Sequence, residues 1–263
     1  MTKRKAKTIL LISDLHCGHK IGLTPPRLWS PVGQECRKVQ EQVWKWYISK
    51  VKDLRPYAVI LVGDMIDGTG KRSGGCEQLT PDMIEQAWMA VDCIKEIGGN
   101  PKILAVGGTE YHTGQESDFE KIVAKELKAT VYGNHIYPEI EGVVFDIRHH
   151  IGNSSVPYGK STGIEKEMTW NEIESAQGLC PLADIVVRGH THNSRIVEKP
   201  RAGKIATGLK LPAMQAPGTQ FGARKCSGIV HMGFALVTVL DGEYSIEVVT
   251  ENIEATKKVA VKI

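Results

Sequence analysis

The sequence predicts an α/β domain of two sheets with helices on the outside, and three observations lead there. From residue 8 to about 127, short aliphatic runs alternate with stretches of helical periodicity, the pattern of a parallel sheet with crossover helices. Between residues 136 and 148 that pattern gives way to a hairpin. The stretch 228–250 is β-rich.

Each element has its own signal. Residues 8–12 are continuously aliphatic, as in a strand covered on both faces. A loop rich in Gly and Pro spans 18–33. Val39, Val43, Tyr47, Val51 and Leu54 then recur at helical spacing until Pro56. Residues 57–62 form a second buried strand. A polar, glycine-rich loop, 67–79, leads to a helix with Thr80 as its cap and Pro81 at its first position. Ile84, Trp88, Val91 and Ile94 form its apolar stripe, and Gly98-Gly99 stops it. Residues 102–106 are a third strand. Ser117-Asp118-Phe119-Glu120 reads as a capping box opening a helix to about Leu127. A hairpin (136–140 with 143–148), a helix (165–177), a strand (184–188) and the strands 228–240 and 244–250 complete the chain. No repeat or linker divides it, so residues 1–263 are expected to form one domain.

Composition narrows the function classes. The chain is 41% hydrophobic and 24% charged, which excludes disorder. No run approaches the ~20 apolar residues of a spanning helix, so no membrane partner is expected. The basic stretch 1–7 precedes an apolar run too short for a signal peptide, and a cytoplasmic location is expected. A net charge of +3 does not by itself announce nucleic-acid binding. The six cysteines show no Cys-x-x-Cys pairing and read as reduced thiols.

Chemistry concentrates where strands end. Ser13-Asp14-Leu15-His16 follows the first strand and Gly63-Asp64 the second. His149-His150 follows residues 143–148, and Gly189-His190-Thr191-His192 follows residues 184–188. In an open sheet, sites lie beyond the carboxyl ends of strands. Carboxylates and imidazoles delivered there are the donors that a hydrolytic metal site needs. Asp14 and His16 alternate along an extended strand end and so are expected to point the same way. Asp64, with two oxygens, can serve two ions.

These motifs, in this order and strand context, resemble the calcineurin-like metallophosphoesterase superfamily. The resemblance spans residues 8 to about 195. It is nearest to compact versions encoded by bacteriophages, with Asp14-Leu15-His16-Cys17-Gly18 followed by a Gly-Leu-Thr-Pro-Pro loop. It implies a two-sheet β-sandwich flanked by helices and a dinuclear centre, with residues 196–263 completing the second sheet. Asp14, His16, Asp64 and His192 would hold one ion; Asp64, His149 and His190 would hold the other. His149 is favoured over His150, because Phe145, Ile147 and His149 share a strand face; His150 would face substrate or lie behind the ligands. Manganese is the expected ion, with iron, zinc, nickel and cobalt as alternatives.

One motif departs. The family has Gly-Asn-His after the third strand, where this chain has Gly107-Gly108-Thr109-Glu110-Tyr111-His112. Thr109 stands in the asparagine's place as a poorer ligand, and Glu110 or His112 is an alternative for completing the second ion's shell. Gly133-Asn134-His135 spells the motif but follows a helix and a very short strand, and is read as a turn with a surface histidine. His19, just past the first motif, lines the site or faces solvent. Trp44, Trp46, Trp88 and Trp170 read as packing residues. Lys71, Arg72, Lys210, Arg224 and Lys225 read as a solvated face, or else as a phosphate-contacting rim.

The expected activity is hydrolysis of phosphate esters by a hydroxide carried between two ions, with His112 as general acid. A phosphodiesterase for nucleotides or nucleic acid is favoured. The alternatives are a phosphomonoesterase with the same site and a metal-free binding module on the same fold. The sequence does not name the oligomeric state.

Overall fold

A computed structural model describes residues 5–29, 33–114, 117–201, 203–219, 229–257 and 260. The strands are β1 (Lys7–Ile12), β2 (Ala58–Val62), β3 (Lys102–Val106), β4 (Val131–Gly133), β5 (His135–Ile136), β6 (Glu139–Ile140), β7 (Val143–Arg148), β8 (Ile185–Arg188), β9 (Arg195–Arg201), β10 (Lys204–Lys210), β11 (Met232–Leu240) and β12 (Glu243–Glu251). The helices are α1 (Gln34–Val51), α2 (Met83–Lys95), α3 (Glu110–Thr113), α4 (Glu120–Glu126) and α5 (Thr162–Ala176).

The first sheet runs β12-β11-β1-β2-β3-β4 and the second β5-β7-β8-β10-β9, with β6 paired to β7. Strands β1 to β4 are mutually parallel, as are β7, β8 and β10. Alternation along β1 and β2 builds two cores at once. Ile9, Leu11, Ile60 and Val62 meet Phe145, Ile147, Ile185, Val187 and Leu209 between the sheets. Leu10, Ile12, Val59 and Leu61 pack outward with Val43 and Tyr47 of α1, Met89 and Ala90 of α2, and Val123 of α4. On the far side Ile164 and Met168 of α5 cover Val186 and Ala206. The layers are helices, sheet, sheet, helix, the two-sheet α/β sandwich that the alternation predicts. No helix among the described residues is long and apolar enough to cross a membrane.

Several expectations need correction. Residues 196–263 do not all complete the second sheet: β9 and β10 do, but β11 pairs antiparallel with β1 (Leu10 opposite Leu236) and carries β12 into the first. The cap of α2 is Asp82, not Thr80, because its carboxylate accepts the amides of Ile84 (2.8 Å) and Glu85 (3.3 Å). The buried stripe of α2 is Ala87, Met89, Ala90, Val91, Cys93 and Ile94, which leaves Ile84 and Trp88 exposed. Trp170 is also exposed, while Trp46 is buried. The Ser117 capping box does not form: α4 starts after Phe119 with no side-chain cap, Asp118 Oδ1 accepts the Glu120 amide (3.1 Å), and Glu120 points inward. Lys210 is no rim residue: it is buried, with Nζ donating to the Lys160 carbonyl (3.2 Å), and burial lowers its pKa to about 8. Arg224 and Lys225 lie outside the described residues. No disulfide joins the five described cysteines.

Candidate metal centre

The carboxyl ends of β1, β2, β7 and β8 converge, and the residues just beyond them meet. Asp14, His16, Asp64, His190 and His192 do so with left-handed backbone (φ 54, 45, 50, 69 and 50°), not by extended alternation. They are five of the eight described non-glycine residues with positive φ. Such backbone costs of order 1–2 kcal/mol per residue and persists where surrounding contacts over-determine it. Those contacts are present. Asp14 N–H donates to the Gly63 carbonyl and His16 N–H to the Asp64 carbonyl, each at 3.0 Å. Gly63, at φ 71°, faces the His149 ring, and a Cβ there would lie 2.6 Å from the ring's Cγ.

Three triads of ligand atoms result: Asp14, His16 and His192; His16, Asp64 and His112; Asp64, His149 and His190. The tautomers follow from the partners. His149 Nδ1–H donates to the Val62 carbonyl (2.7 Å) and His112 Nδ1–H to the Asp67 carbonyl (2.8 Å). His16 Nδ1–H donates to Asp67 Oδ1 (2.8 Å). Each ring therefore turns Nε2, the ligating atom, into the centre. His16 Nε2 and His192 Nε2 lie 3.1 Å apart, and His192 Nε2 is 3.1 Å from Asp14 Oδ1. His149 Nε2 is buried 3.0 Å from Asp64 Oδ2 and makes no hydrogen bond. Electron-rich atoms crowded this way, one of them orphaned, fit divalent cations.

Without a cation, protons carry the charge. Burial lowers the His149 pKa, but Asp64 and Asp14 outweigh it and push the ring up to about 10. His16 is likewise raised well above its usual value: burial opposes this, but Asp14 and Asp67 prevail. Asp14 is held well below the usual carboxylate range, against burial, by His192 and His149. Asp64 is held low against burial by His149 and His112. His190 falls to about 4 through burial and the neighbouring His149.

Of the expected site residues, Asp14, His16, Asp64, His112, His149, His190 and His192 come together. Thr109 touches the centre through Asp64: its amide (2.7 Å) and hydroxyl (3.1 Å) both donate to Oδ1. Glu110 and His150 are exposed, although the His150 ring lies 4.7 Å from that of His190. His19 is buried beside Glu77, Nε2 to Oε1 3.6 Å, in the wall of a cavity of about 180 Å³ that opens onto the centre. His135 stands outside the three triads and is half-buried, donating to Asp146 Oδ1 (2.8 Å), so it is no surface histidine.

Three supporting residues escaped sequence reasoning. Asp67 holds His16 and His112; its only signal was a second carboxylate three residues after Asp64. Arg188, beneath the Gly189–His192 loop, is buried with Nη1 on Asp146 Oδ1 (2.6 Å) and Nη2 on Glu167 Oε2 (3.1 Å). Glu120 is wholly buried and is pushed up to about 8 by burial and by Asp64.

No family model and no curated protein matches the chain. Solved structures do. An archaeal phosphodiesterase aligns at 14% identity and TM-score 0.45, over 92% of this chain and 99% of its own. The phosphoesterase YfcE from E. coli aligns at 15% identity and TM-score 0.41, over 94% and 100%. Vacuolar protein sorting 29 from Cryptosporidium parvum aligns at 14% identity and TM-score 0.44, over 95% and 100%.

Proposed function

We propose that this chain is a calcineurin-like metallophosphoesterase that hydrolyses phosphate esters with two divalent cations, and that its substrates are phosphodiesters of the nucleotide or nucleic-acid class. The observation that carries the reading is the double membership of Asp64, whose carboxylate belongs to one triad with His16 and His112 and to another with His149 and His190. Asp14, His16, Asp64 and His192 would hold one cation; Asp64, His149 and His190 the other. The carboxylates of this donor set suit manganese and its imidazoles suit zinc, iron or nickel; manganese is the ion we propose. When bound, the cations supply hydroxide near neutral pH and offset charge on the phosphoryl oxygens.

The chain's own residues do the rest. Thr109 keeps Asp64 Oδ1 occupied, so that Oδ2 faces His149. The His190 amide (3.1 Å) and the Ser13 hydroxyl hold Asp14 Oδ2 in the same way, leaving Oδ1 for His16 and His192. His112 Nε2 lies 3.8 Å from Asp64 Oδ2 and faces the same space. Burial lowers the pKa of this ring in the free protein. An anionic phosphoryl group beside it favours the protonated form, so substrate loads the proton that the leaving oxygen takes. The adjoining cavity wall includes Glu77, Gln78, Tyr111, Gln215 and Thr219. With His19 set against Glu77, and no lysine or arginine lining the cavity among the described residues, the wall offers little fixed positive charge, which favours a diester, with one negative charge, over a monoester with two.

The test is manganese-dependent hydrolysis of bis-p-nitrophenyl phosphate against p-nitrophenyl phosphate by the native chain and by Asp64→Ala. Faster diester cleavage, absent in the variant, is expected. Preference for the monoester reverses the substrate assignment. Native protein that takes up manganese and cleaves neither defeats the enzymatic reading.

A further inference from the structure

Glu120 has no exposed surface, and its carboxyl oxygens accept backbone amides. Its Oε1 accepts the Met65 amide in a short hydrogen bond and the Ile66 amide at 3.4 Å. Its Oε2 accepts the Gly108 amide at 2.8 Å. A buried carboxylate is costly, and a helix packed on a sheet does not need one. The amides it gathers come from two separate strand exits. Met65 and Ile66 follow Asp64 beyond β2; Gly108 precedes Thr109 beyond β3. Thr109 in turn donates to Asp64 Oδ1. The circuit closes: Glu120 to Gly108, Thr109 to Asp64, Met65 back to Glu120.

The geometry points to Glu120 as the positioning residue of the centre, clamping the β2 and β3 exits together so that Asp64 turns Oδ2 toward the second cation. This rests on the metal-centre reading above and deepens it. The chemistry explains the residue type. The amides converge from both sides, so both side-chain oxygens must accept. Glutamine offers one acceptor and turns an NH₂ against an N–H. Gln86 shows the contrast on the same loop: its Oε1 accepts the amides of Asp67 (3.1 Å) and Gly68 (2.8 Å), while its Nε2 finds the carbonyls of Gly68 (2.9 Å) and Thr80 (2.8 Å). There an amide side chain matches; at 120 the converging amides call for two acceptor oxygens, which an acid side chain has and an amide does not. The exits also approach too closely for any side chain at Gly108, where a Cβ would sit 2.1 Å from Asp64 Oδ1.

The experiment loads native protein, Glu120→Gln and Glu120→Asp with manganese after chelator treatment. It reads stoichiometry and affinity by titration, the spin-coupled dimanganese signal by electron paramagnetic resonance, and folding of the metal-free proteins by thermal melting. Glu120→Gln is expected to bind the second ion about 10–100-fold more weakly, to weaken the first, which keeps Asp14, His16 and His192, by less, and to lose the coupled signal at one equivalent of excess metal. Glu120→Asp, one methylene too short to span both exits, is expected to do the same, and it decides the matter if Glu120→Gln does not fold. A variant that binds both ions with native affinity and coupling overturns the assignment. So does one whose defect is confined to a lower melting temperature. Failure of the native chain itself to bind two ions would instead remove the metal-centre reading, which keeps the two failures apart.

Discussion

Metal loading should displace protons, and the structure says how many and from where. His149 sits near pKa 10 in the metal-free protein because two carboxylates face it, yet only the neutral ring can ligate. At pH 7 the ring lies about three units below its pKa, so expelling its proton costs about 4 kcal/mol, or about a thousandfold in affinity. His16, also raised, imposes the same kind of cost on the other triad. His190, lowered to about 4, imposes none. One proton should therefore leave each half of the centre, and affinity for the second ion should rise about a hundredfold between pH 7 and pH 9. Calorimetric titration in buffers of different ionisation enthalpy counts the protons directly. Heats that do not depend on the buffer, with affinity flat across that range, would refute the reasoning.

Other expectations follow from the same contacts. In metal-free protein the raised His149 contributes stability that is complete below about pH 6.5 and is lost as pH rises through about 10. Urea unfolding after chelator treatment should thus show an alkaline loss that saturating manganese suppresses. Alanine at His112 should slow turnover by about 10²–10⁴ while elemental analysis still finds both ions; loss of an ion would make it a ligand. Thr109→Asn should tighten the second ion by offering an amide oxygen, and unchanged occupancy would count against that. Arg188→Met takes the buried guanidinium from Asp146 and Glu167, leaving them only His135 and the half-exposed Arg148, and should cost about 3 kcal/mol in urea unfolding; a loss under 1 kcal/mol would show that those remaining partners suffice.

The aliphatic runs made the parallel strands legible, and with them the places where Asp14, Asp64, His149 and His190 emerge. What the chain does beyond those ends was not legible. Nothing in Asp14 or His16 announces left-handed backbone, because it is imposed by neighbours such as the Gly63 and Asp64 carbonyls. Sheet membership of β11 was hidden for a similar reason: alternation reports two faces, not which strand lies alongside. Glu120 looked like a capping partner because its spacing from Ser117 fits that role, whereas its contacts are 12 and 55 residues away. Supporting residues act on distant backbone and leave no local pattern. Donor residues, by contrast, declare themselves through their chemistry and their position at strand ends.

Anomalous diffraction from a crystal grown in manganese tests the central claim most directly. Two peaks are predicted, one among Asp14, His16 and His192 and one among His149 and His190, with Asp64 reaching both. Full-strength data with no peak at these side chains, or with manganese bound only elsewhere, would contradict it.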